Sequence, residues 1–178
     1  MTCDFAERVW KALSLTHTKS SGSPVIELST EIGGGLTLRN PVMIASGTFG
    51  HAAEYADLFD LSGIGGVVTK TITYHPRSGN PPPRTVETPG GMLNAIGLPN
   101  PGLEGFIEEK LPPLKALDTV RVVSIAGTSN TEFAEMAHRL NDLPGVDALE
   151  LNISSPNMKD GGMLFGCREQ ATQAVTAA

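Results

Sequence analysis

Four short runs of apolar and β-branched residues constrain the fold more than any other feature of the sequence. The runs cover residues 42–46, 66–70, 120–126 and 146–151. They show little alternation of apolar and polar residues, which is typical of parallel strands covered on both faces. A segment able to form a helix follows each run: residues 52–62, the segment starting at Pro101, residues 130–143 and residues 168–178. The pattern predicts an α/β fold of four consecutive βα units, either half of a (β/α)8 barrel or one half of a doubly wound sheet.

The segments outside these units divide the chain into two parts. Residues 1–24 are expected to hold one short helix, over residues 4–14, and a Ser/Thr/Gly/Pro-rich linker. Residues 25–178 are expected to form the folded domain. Within it, residues 25–29 and 36–38 flank a glycine-rich turn and predict a small hairpin, and residues 71–100 are expected to form a long loop.

Composition and charge exclude several kinds of partner. The formal net charge is -6 without a basic cluster, which argues against a nucleic-acid partner. No apolar stretch approaches the roughly 20 residues of a membrane helix, so no membrane span is expected. Cys3 and Cys167 lie far apart, and the four histidines have no partner at ligand spacing. We therefore expect a cytoplasmic protein with neither a disulfide framework nor a metal site.

Polar residues stand at the carboxyl end of every predicted strand of the repeating units. Because these ends meet at one edge of a parallel sheet, the residues are expected to line one pocket. The residues concerned are Ser46, Lys70, Thr71, Ser124 and Asn152. A strand-end lysine often only reaches out to solvent. Because polar residues stand at the other strand ends as well, Lys70 is interpreted as an ammonium that faces an anionic ligand or an electron-rich ring.

The glycine-rich stretch around Asn94 is a second candidate for ligand binding. An asparagine here can be a plain turn residue, or an amide that recognises a planar imide or amide. Unpaired backbone N–H groups of residues 95–98 could bind a carboxylate.

Ser155 lies between Asn152 and Asn157, directly after the fourth predicted strand. One interpretation of this stretch is a turn before a helix. Ser155 lacks evident histidine and acid partners and a Gly-x-Ser-x-Gly elbow, which disfavours an acyl-transfer nucleophile. The other interpretation is a general base, which would need a proton relay or a cofactor that removes hydride from the substrate as the proton leaves.

Five ordered motifs make the chain resemble the N-terminal half of dihydroorotate dehydrogenases. The motifs are residues 40–50, 68–73, 76–84, 87–98 and 152–157. They look most like the class 1 catalytic subunit that works with a separate electron-transfer subunit. The resemblance implies a (β/α)8 TIM barrel, of which the chain holds about the first four βα units. It also implies FMN at the carboxyl ends of the strands and oxidation of dihydroorotate to orotate in pyrimidine biosynthesis.

The resemblance assigns roles residue by residue. It implies that Ser155 is the catalytic base, which takes a proton from one ring carbon while hydride leaves the neighbouring carbon for the flavin. The implied cofactor contacts are Ser46, Lys70, Thr71, Ser124 and Asn152. The implied substrate contacts are Lys70, Asn94, Ala95, Ile96, Gly97, Leu98, Asn152 and Asn157. The implied partners are an electron-transfer subunit with FAD and an iron-sulfur cluster, and further copies of the chain in a homo-oligomer.

The chain departs from the class 1 pattern in three respects. Class 1 enzymes usually carry cysteine at the position of Ser155, and relatives of this type often have a flavin-contacting asparagine at the position of Ser124. The family's later strands, which supply the FMN phosphate loops, have no counterpart in the sequence. Two alternatives therefore stay open: a non-catalytic half barrel, and a related flavin barrel that acts on dihydropyrimidines.

Overall fold

The computed structural model describes residues 26–55, 58, 60–154 and 165–178. The predicted helix over residues 4–14 and the linker after it lie outside this range, as do Ser155 and Asn157. No helix in the described part of the chain is long and apolar enough to cross a membrane. The same residues contain no group of three or more His, Cys, Asp or Glu side chains that could hold a metal ion.

A parallel sheet forms the centre of the described structure. The strands in chain order are β1 (Thr30–Glu31), β2 (Thr37–Leu38), β3 (Met43–Ile44), β4 (Gly66–Val68), β5 (Ile72–Thr73), β6 (Thr85–Thr88), β7 (Gly91–Asn94), β8 (Val120–Ala126) and β9 (Ala148–Leu151). β8 pairs with β4 and β5 on one side and with β9 on the other, and β3 pairs with β4. All four pairings are parallel, which confirms the prediction from the unalternating apolar runs.

The strand formed by β4 and β5 contains one extra residue. Between Val68 and Ile72 this strand advances four positions, whereas β8 advances three, from Val122 to Ile125. The Thr69 side chain bridges the gap, because its Oγ1 accepts the Ser124 N–H at 3.2 Å. The result is a bulge at the carboxyl end of β4, a feature that is frequent beside active sites.

Helices cover the sheet and supply most of the core. They are Gly102–Gly105, a π-helical turn at Phe106–Lys110, Leu111–Leu114, Asn130–Asn141 and Glu169–Ala177. The helix Asn130–Asn141 lies within the predicted residues 130–143 and buries Phe133, Met136 and Leu140. Its N-cap is Ser129, which has extended backbone and whose side chain accepts the Glu132 N–H.

The predicted helix over residues 52–62 is wrong. The described residues of this segment form two 3-10 turns, Ala53–Tyr55 and Leu61–Gly63. Ala52 has a left-handed backbone with φ of 68°, which is incompatible with a helix starting there. Asp60 is extended and caps the second turn by accepting the Ser62 N–H at 2.9 Å.

Two antiparallel hairpins project from the βα units. The first, β1–β2, lies in the segment predicted to form a hairpin, but its first strand is Thr30–Glu31 rather than residues 25–29, and each strand covers two residues. The second, β6–β7, lies inside the segment predicted to be a plain loop. All eight residues of its strands are exposed, so it buries no apolar face that periodicity could have indicated.

Candidate functional site

A cleft of about 490 Å³ opens at the carboxyl ends of the parallel strands. This volume lies within the range of about 300–1,000 Å³ that small-molecule sites occupy. The cleft brings together residues from the ends of β3, β4 and β9 and from the loop before Pro99. Its lining residues are Ser46, Gly47, Lys70, Thr71, Leu98, Glu150, Leu151, Asn152 and Ser154.

Four polar side chains predicted from the strand ends therefore share one cleft: Ser46, Lys70, Thr71 and Asn152. Glu150 and Ser154 were not predicted. Both lie two residues from Asn152, one on each side. The alternation of polar residues at the end of β9 could therefore have indicated them. Lys70 and Thr71 are consecutive, yet both line the cleft, because the extra residue between β4 and β5 interrupts the alternation of a regular strand.

Hydrogen bonds between hydroxyl groups fix the floor of the cleft. Ser46 Oγ donates to the Thr69 carbonyl at 2.8 Å and lies 3.4 Å from Thr71 Oγ1. Thr71 Oγ1 lies 2.9 Å from Ser124 Oγ and accepts the Asn152 Nδ2 group at 3.1 Å. Because the amide nitrogen of Asn152 is engaged, its amide oxygen is the end left to accept a hydrogen bond from a ligand.

Ser124 occupies a different place from the other strand-end residues. It has no exposed surface, and its hydroxyl lies behind Thr71 in the network. A ligand in the cleft would therefore meet Thr71 before Ser124. Direct contact between Ser124 and a cofactor stays a prediction. In the structure, the Ser124 hydroxyl contacts the Thr71 hydroxyl, which lies nearer to the cleft.

Lys70 brings a positive charge to the cleft. Its backbone N–H donates to the Gly50 carbonyl at 2.7 Å, which anchors the residue after β4. The ion pairs among the described residues do not include Lys70. Its ammonium is thus available to an anionic group or to an electron-rich ring.

The loop after β7 forms a cradle of backbone N–H groups next to the cleft. Gly97 and Leu98 both have left-handed backbones, with φ of 82° and 56°. No acceptor among the described residues takes the N–H groups of Ile96, Gly97 or Leu98. Successive N–H groups in such a conformation form a concave site for an anion. We call residues 96–98 the amide cradle.

One of the four backbone N–H groups of residues 95–98 is already engaged within the chain. The N–H of Ala95 donates to the Arg84 carbonyl at 2.8 Å, so three N–H groups are open rather than four. Asn94 lies at the end of β7, opposite Thr85, and is exposed outside the cleft lining. Ser155 and Asn157 lie outside the described residues, but Ser154, which directly precedes Ser155, lines the cleft.

A second cavity, of about 410 Å³, lies at the opposite end of the sheet. Two arginines line it, and both are already paired: Arg39 with Asp118 at 2.9 Å and Arg121 with Asp147 at 2.8 Å. Active sites of βα barrels lie at the carboxyl ends of the strands, whereas the amino-terminal end serves stability. The cleft at the carboxyl ends is therefore the candidate site.

A buried histidine supports the loop that anchors Lys70. His51 is 6% exposed, and its ring lies 5.6 Å from that of Phe106. Its Nδ1 has no hydrogen-bond partner in the described structure, while its backbone N–H donates to Glu54 at 2.9 Å. Burial lowers the pKa of His51, with Lys110 and Lys70 adding to this effect and Glu54 opposing it.

The lowered pKa of His51 predicts a loss of stability in mild acid. As pH falls below the ordinary value of 6.5, the unfolded chain binds a proton at this position before the folded chain does, so unfolding becomes easier. His51→Phe removes the titrating group and keeps a ring against Phe106. We expect the urea midpoint of the variant to fall less than that of wild type between pH of about 8 and about 5.5.

The same substitution at exposed His138 provides the control, because an exposed imidazole is solvated in both states. His138→Phe should lose as much stability in acid as wild type does. An equal acid loss in His51→Phe and wild type would contradict the assignment of the effect to His51.

Most of the chain is similar to proteins of known family. Residues 27–178 match the family model described as "Dihydroorotate dehydrogenase". Relatives named "Dihydroorotate dehydrogenase B (NAD(+)), catalytic subunit" include those of Geotalea uraniireducens, 51% identical over 85% of this chain and 49% of the relative, and Pelobacter propionicus, 55% identical over 81% and 47%. The chain spans about half the length of the curated relatives it matches.

Solved structures agree with the sequence relatives. The structure of DHODH from Eimeria tenella in complex with ferulenol covers 97% of this chain at 25% identity, with a TM-score of 0.60, and 49% of that chain is matched. The ligand-free form from the same organism gives a TM-score of 0.63 at 23% identity. The predicted fold, the first units of a TIM barrel, is thereby confirmed, and so is the resemblance to class 1 catalytic subunits. The family match over residues 27–178 and relatives more than half identical show that the chain belongs to the dihydroorotate dehydrogenase family.

Proposed function

We propose that the complete protein containing this chain oxidises dihydroorotate to orotate in de novo pyrimidine biosynthesis, with FMN as its cofactor. The observation that carries the proposal is the amide cradle beside a cleft that already holds a cation and an amide. A pyrimidine carboxylate presents a planar ring with imide groups and one negative charge. The cleft offers Asn152 for the ring and Lys70 for the charge, and the amide cradle, whose Leu98 lines the cleft, adds three open N–H groups.

The residues present fit a flavin ring at the floor of the cleft. The floor carries the hydroxyl groups of Ser46 and Thr71 and the amide of Asn152, which can bond to the ring's polar edge, and Lys70 also lines the cleft. Gly47, at the rim, has φ of 79°, and a Cβ there would meet no atom within 4 Å, so the approach is open. FMN, when bound, would supply the hydride acceptor.

The chain's own residues would then bind and orient the substrate. We assign Lys70 and the amide cradle to the carboxylate, and Asn152 to the ring. We also propose Asn94, at the end of β7, and Asn157 as substrate contacts. Ser124 acts through Thr71, whose hydroxyl it supports at 2.9 Å. Ser155 is the proposed base, which receives the ring-carbon proton.

The relatives' name supplies the proposal for partners. A catalytic subunit of an NAD(+)-linked enzyme implies a separate electron-transfer subunit. We propose that this partner carries FAD and an iron-sulfur cluster and receives electrons from the reduced flavin. The complete protein is proposed to be a cytoplasmic homo-oligomer within that complex.

The alternative substrate is a dihydropyrimidine without a carboxylate. The cradle separates the two, because three open backbone donors serve an anion and would remain unpaired beside a neutral ring. The test is anaerobic bleaching of the flavin in the complete protein. We expect rapid bleaching with dihydroorotate and slow or no bleaching with dihydrouracil. Equal or faster bleaching with dihydrouracil would overturn the proposed substrate.

A further inference from the structure

The carbonyl groups of the loop that forms the amide cradle are all held by side chains or backbone behind it. Asn80 Nδ2 donates to the Ala95 carbonyl at 2.7 Å, and the Asn80 backbone N–H donates to the Ile96 carbonyl at 2.9 Å. Arg77 Nε reaches the Gly97 carbonyl at 3.4 Å, and Asn100 Nδ2 reaches the Leu98 carbonyl at 2.9 Å. All four carbonyl groups of residues 95–98 are thus engaged.

The geometry of the peptide unit determines where the neighbouring N–H groups point. In a trans peptide, the carbonyl and the following N–H point in opposite directions. The peptide unit that carries the Ala95 carbonyl also carries the Ile96 N–H, and the unit that carries the Ile96 carbonyl also carries the Gly97 N–H. By holding both carbonyls, Asn80 directs both N–H groups away from itself. These are two of the three donors of the cradle, and Leu98, the third, lines the cleft.

Contacts with Arg84 and Gly97 hold Asn80 next to the cradle. Its backbone carbonyl accepts a hydrogen bond from Arg84 at 3.3 Å. It also packs closely against Gly97, where a Cβ would come within 2.6 Å of the Asn80 nitrogen. Asn80 does not line the cleft. It therefore acts on the loop and not on a ligand.

We propose that Asn80 is a positioning residue for carboxylate recognition, which orients the Ile96 and Gly97 N–H groups toward the bound anion. The inference rests on the proposed function, because it takes the ligand to carry a carboxylate. The side-chain amide is the part that matters, since only the contact to the Ala95 carbonyl depends on the residue type. The backbone contact to Ile96 survives substitution.

The test uses the complete, flavin-loaded protein and orotate as the probe, with binding measured by calorimetry. Asn80→Ala removes one hydrogen bond that orients the cradle, and we expect about tenfold weaker orotate binding. The KM for dihydroorotate should rise by a similar factor, while kcat changes much less. Asn80→Asp keeps the size but places an oxygen against the Ala95 carbonyl and a negative charge near the anion, so its loss should be larger than that of Asn80→Ala.

Asn141→Ala is the matched control, because its side-chain amide also donates one hydrogen bond, to Asp142 at 2.9 Å, far along the chain from the cleft. It should bind orotate as wild type does. The Asn80 variants should keep their flavin and the unfolding midpoint of this control. Unchanged orotate affinity in both Asn80 variants would overturn the inference while leaving the proposed function intact. Loss of flavin or of folding in both would also overturn it, since Asn80 would then be a general structural residue. A wild-type protein that does not bind orotate would overturn the proposed function itself.

Discussion

Replacing Ser155 with alanine is expected to slow flavin reduction by dihydroorotate about 10²- to 10⁴-fold, the usual contribution of a positioned general base. The proton on the ring carbon would then have no acceptor at the moment hydride leaves. In the sequence, Ser155 directly follows Ser154, which lines the cleft with Asn152. Anaerobic stopped-flow absorbance of the complete, flavin-loaded protein measures the rate.

Two further variants separate proton transfer from other effects at Ser155. Ser154→Ala, the same change one residue earlier, should slow the reaction far less. Ser155→Cys should retain activity and shift the pH dependence of flavin reduction to lower pH, because a thiol ionises near 8.5, far below a hydroxyl. A wild-type rate in Ser155→Ala, or an unchanged pH profile in Ser155→Cys, would contradict the role as base.

Replacing Gly97 with alanine is expected to weaken orotate binding about 100-fold. An alanine at this position has to keep the backbone φ of 82°, and its Cβ would lie 2.6 Å from the backbone nitrogen of Asn80. A left-handed backbone costs an L-residue about 1–2 kcal/mol, and an overpacked contact costs about 1–3 kcal/mol. The loop can relieve both only by turning the peptide units of the cradle, and about 2.8 kcal/mol corresponds to 100-fold in affinity.

Gly90→Ala is the control for this substitution. Gly90 lies in the turn of the β6–β7 hairpin, and a Cβ there would meet no atom within 4 Å. Its orotate affinity, measured by the same calorimetry, should equal that of wild type. Similar affinities for Gly97→Ala and Gly90→Ala would show that the cradle does not hold the carboxylate.

The sequence predicted the parts of the fold whose burial leaves a pattern. The strand β8 has the predicted bounds, and the helix Asn130–Asn141 falls within the predicted residues 130–143, because packing against a core selects apolar residues at fixed spacing. The exposed hairpin β6–β7 leaves no such pattern, and only Pro89-Gly90 marked its turn. The helix over residues 52–62 failed because Ala52, which is buried, adopts a left-handed backbone that alanine rarely takes, so the residue type did not indicate it.

In the candidate site too, some residues could be predicted from the sequence pattern and others depend on three-dimensional contacts. Residues at strand ends could be assigned to one cleft, since the carboxyl ends of parallel strands share an edge. The burial of Ser124 behind Thr71 could not, because it depends on a contact between distant segments. The engaged N–H of Ala95 could not either, because it belongs to the exposed β6–β7 hairpin, which apolar periodicity did not indicate. The supporting role of Asn80 was hidden for the same reason, since it depends on how residues 79–84 lie behind residues 95–98.

The extra residue between β4 and β5 has a consequence for transferring this chemistry to another scaffold. Two neighbouring side chains, Lys70 and Thr71, reach the same cleft only because the backbone gains one residue there against β8. The same two residues on a regular strand would point to opposite faces of the sheet. A design that copied the cleft residues alone would therefore lose either the cation or the hydroxyl floor. Thr69, whose side chain spans the irregularity, would have to be copied with them.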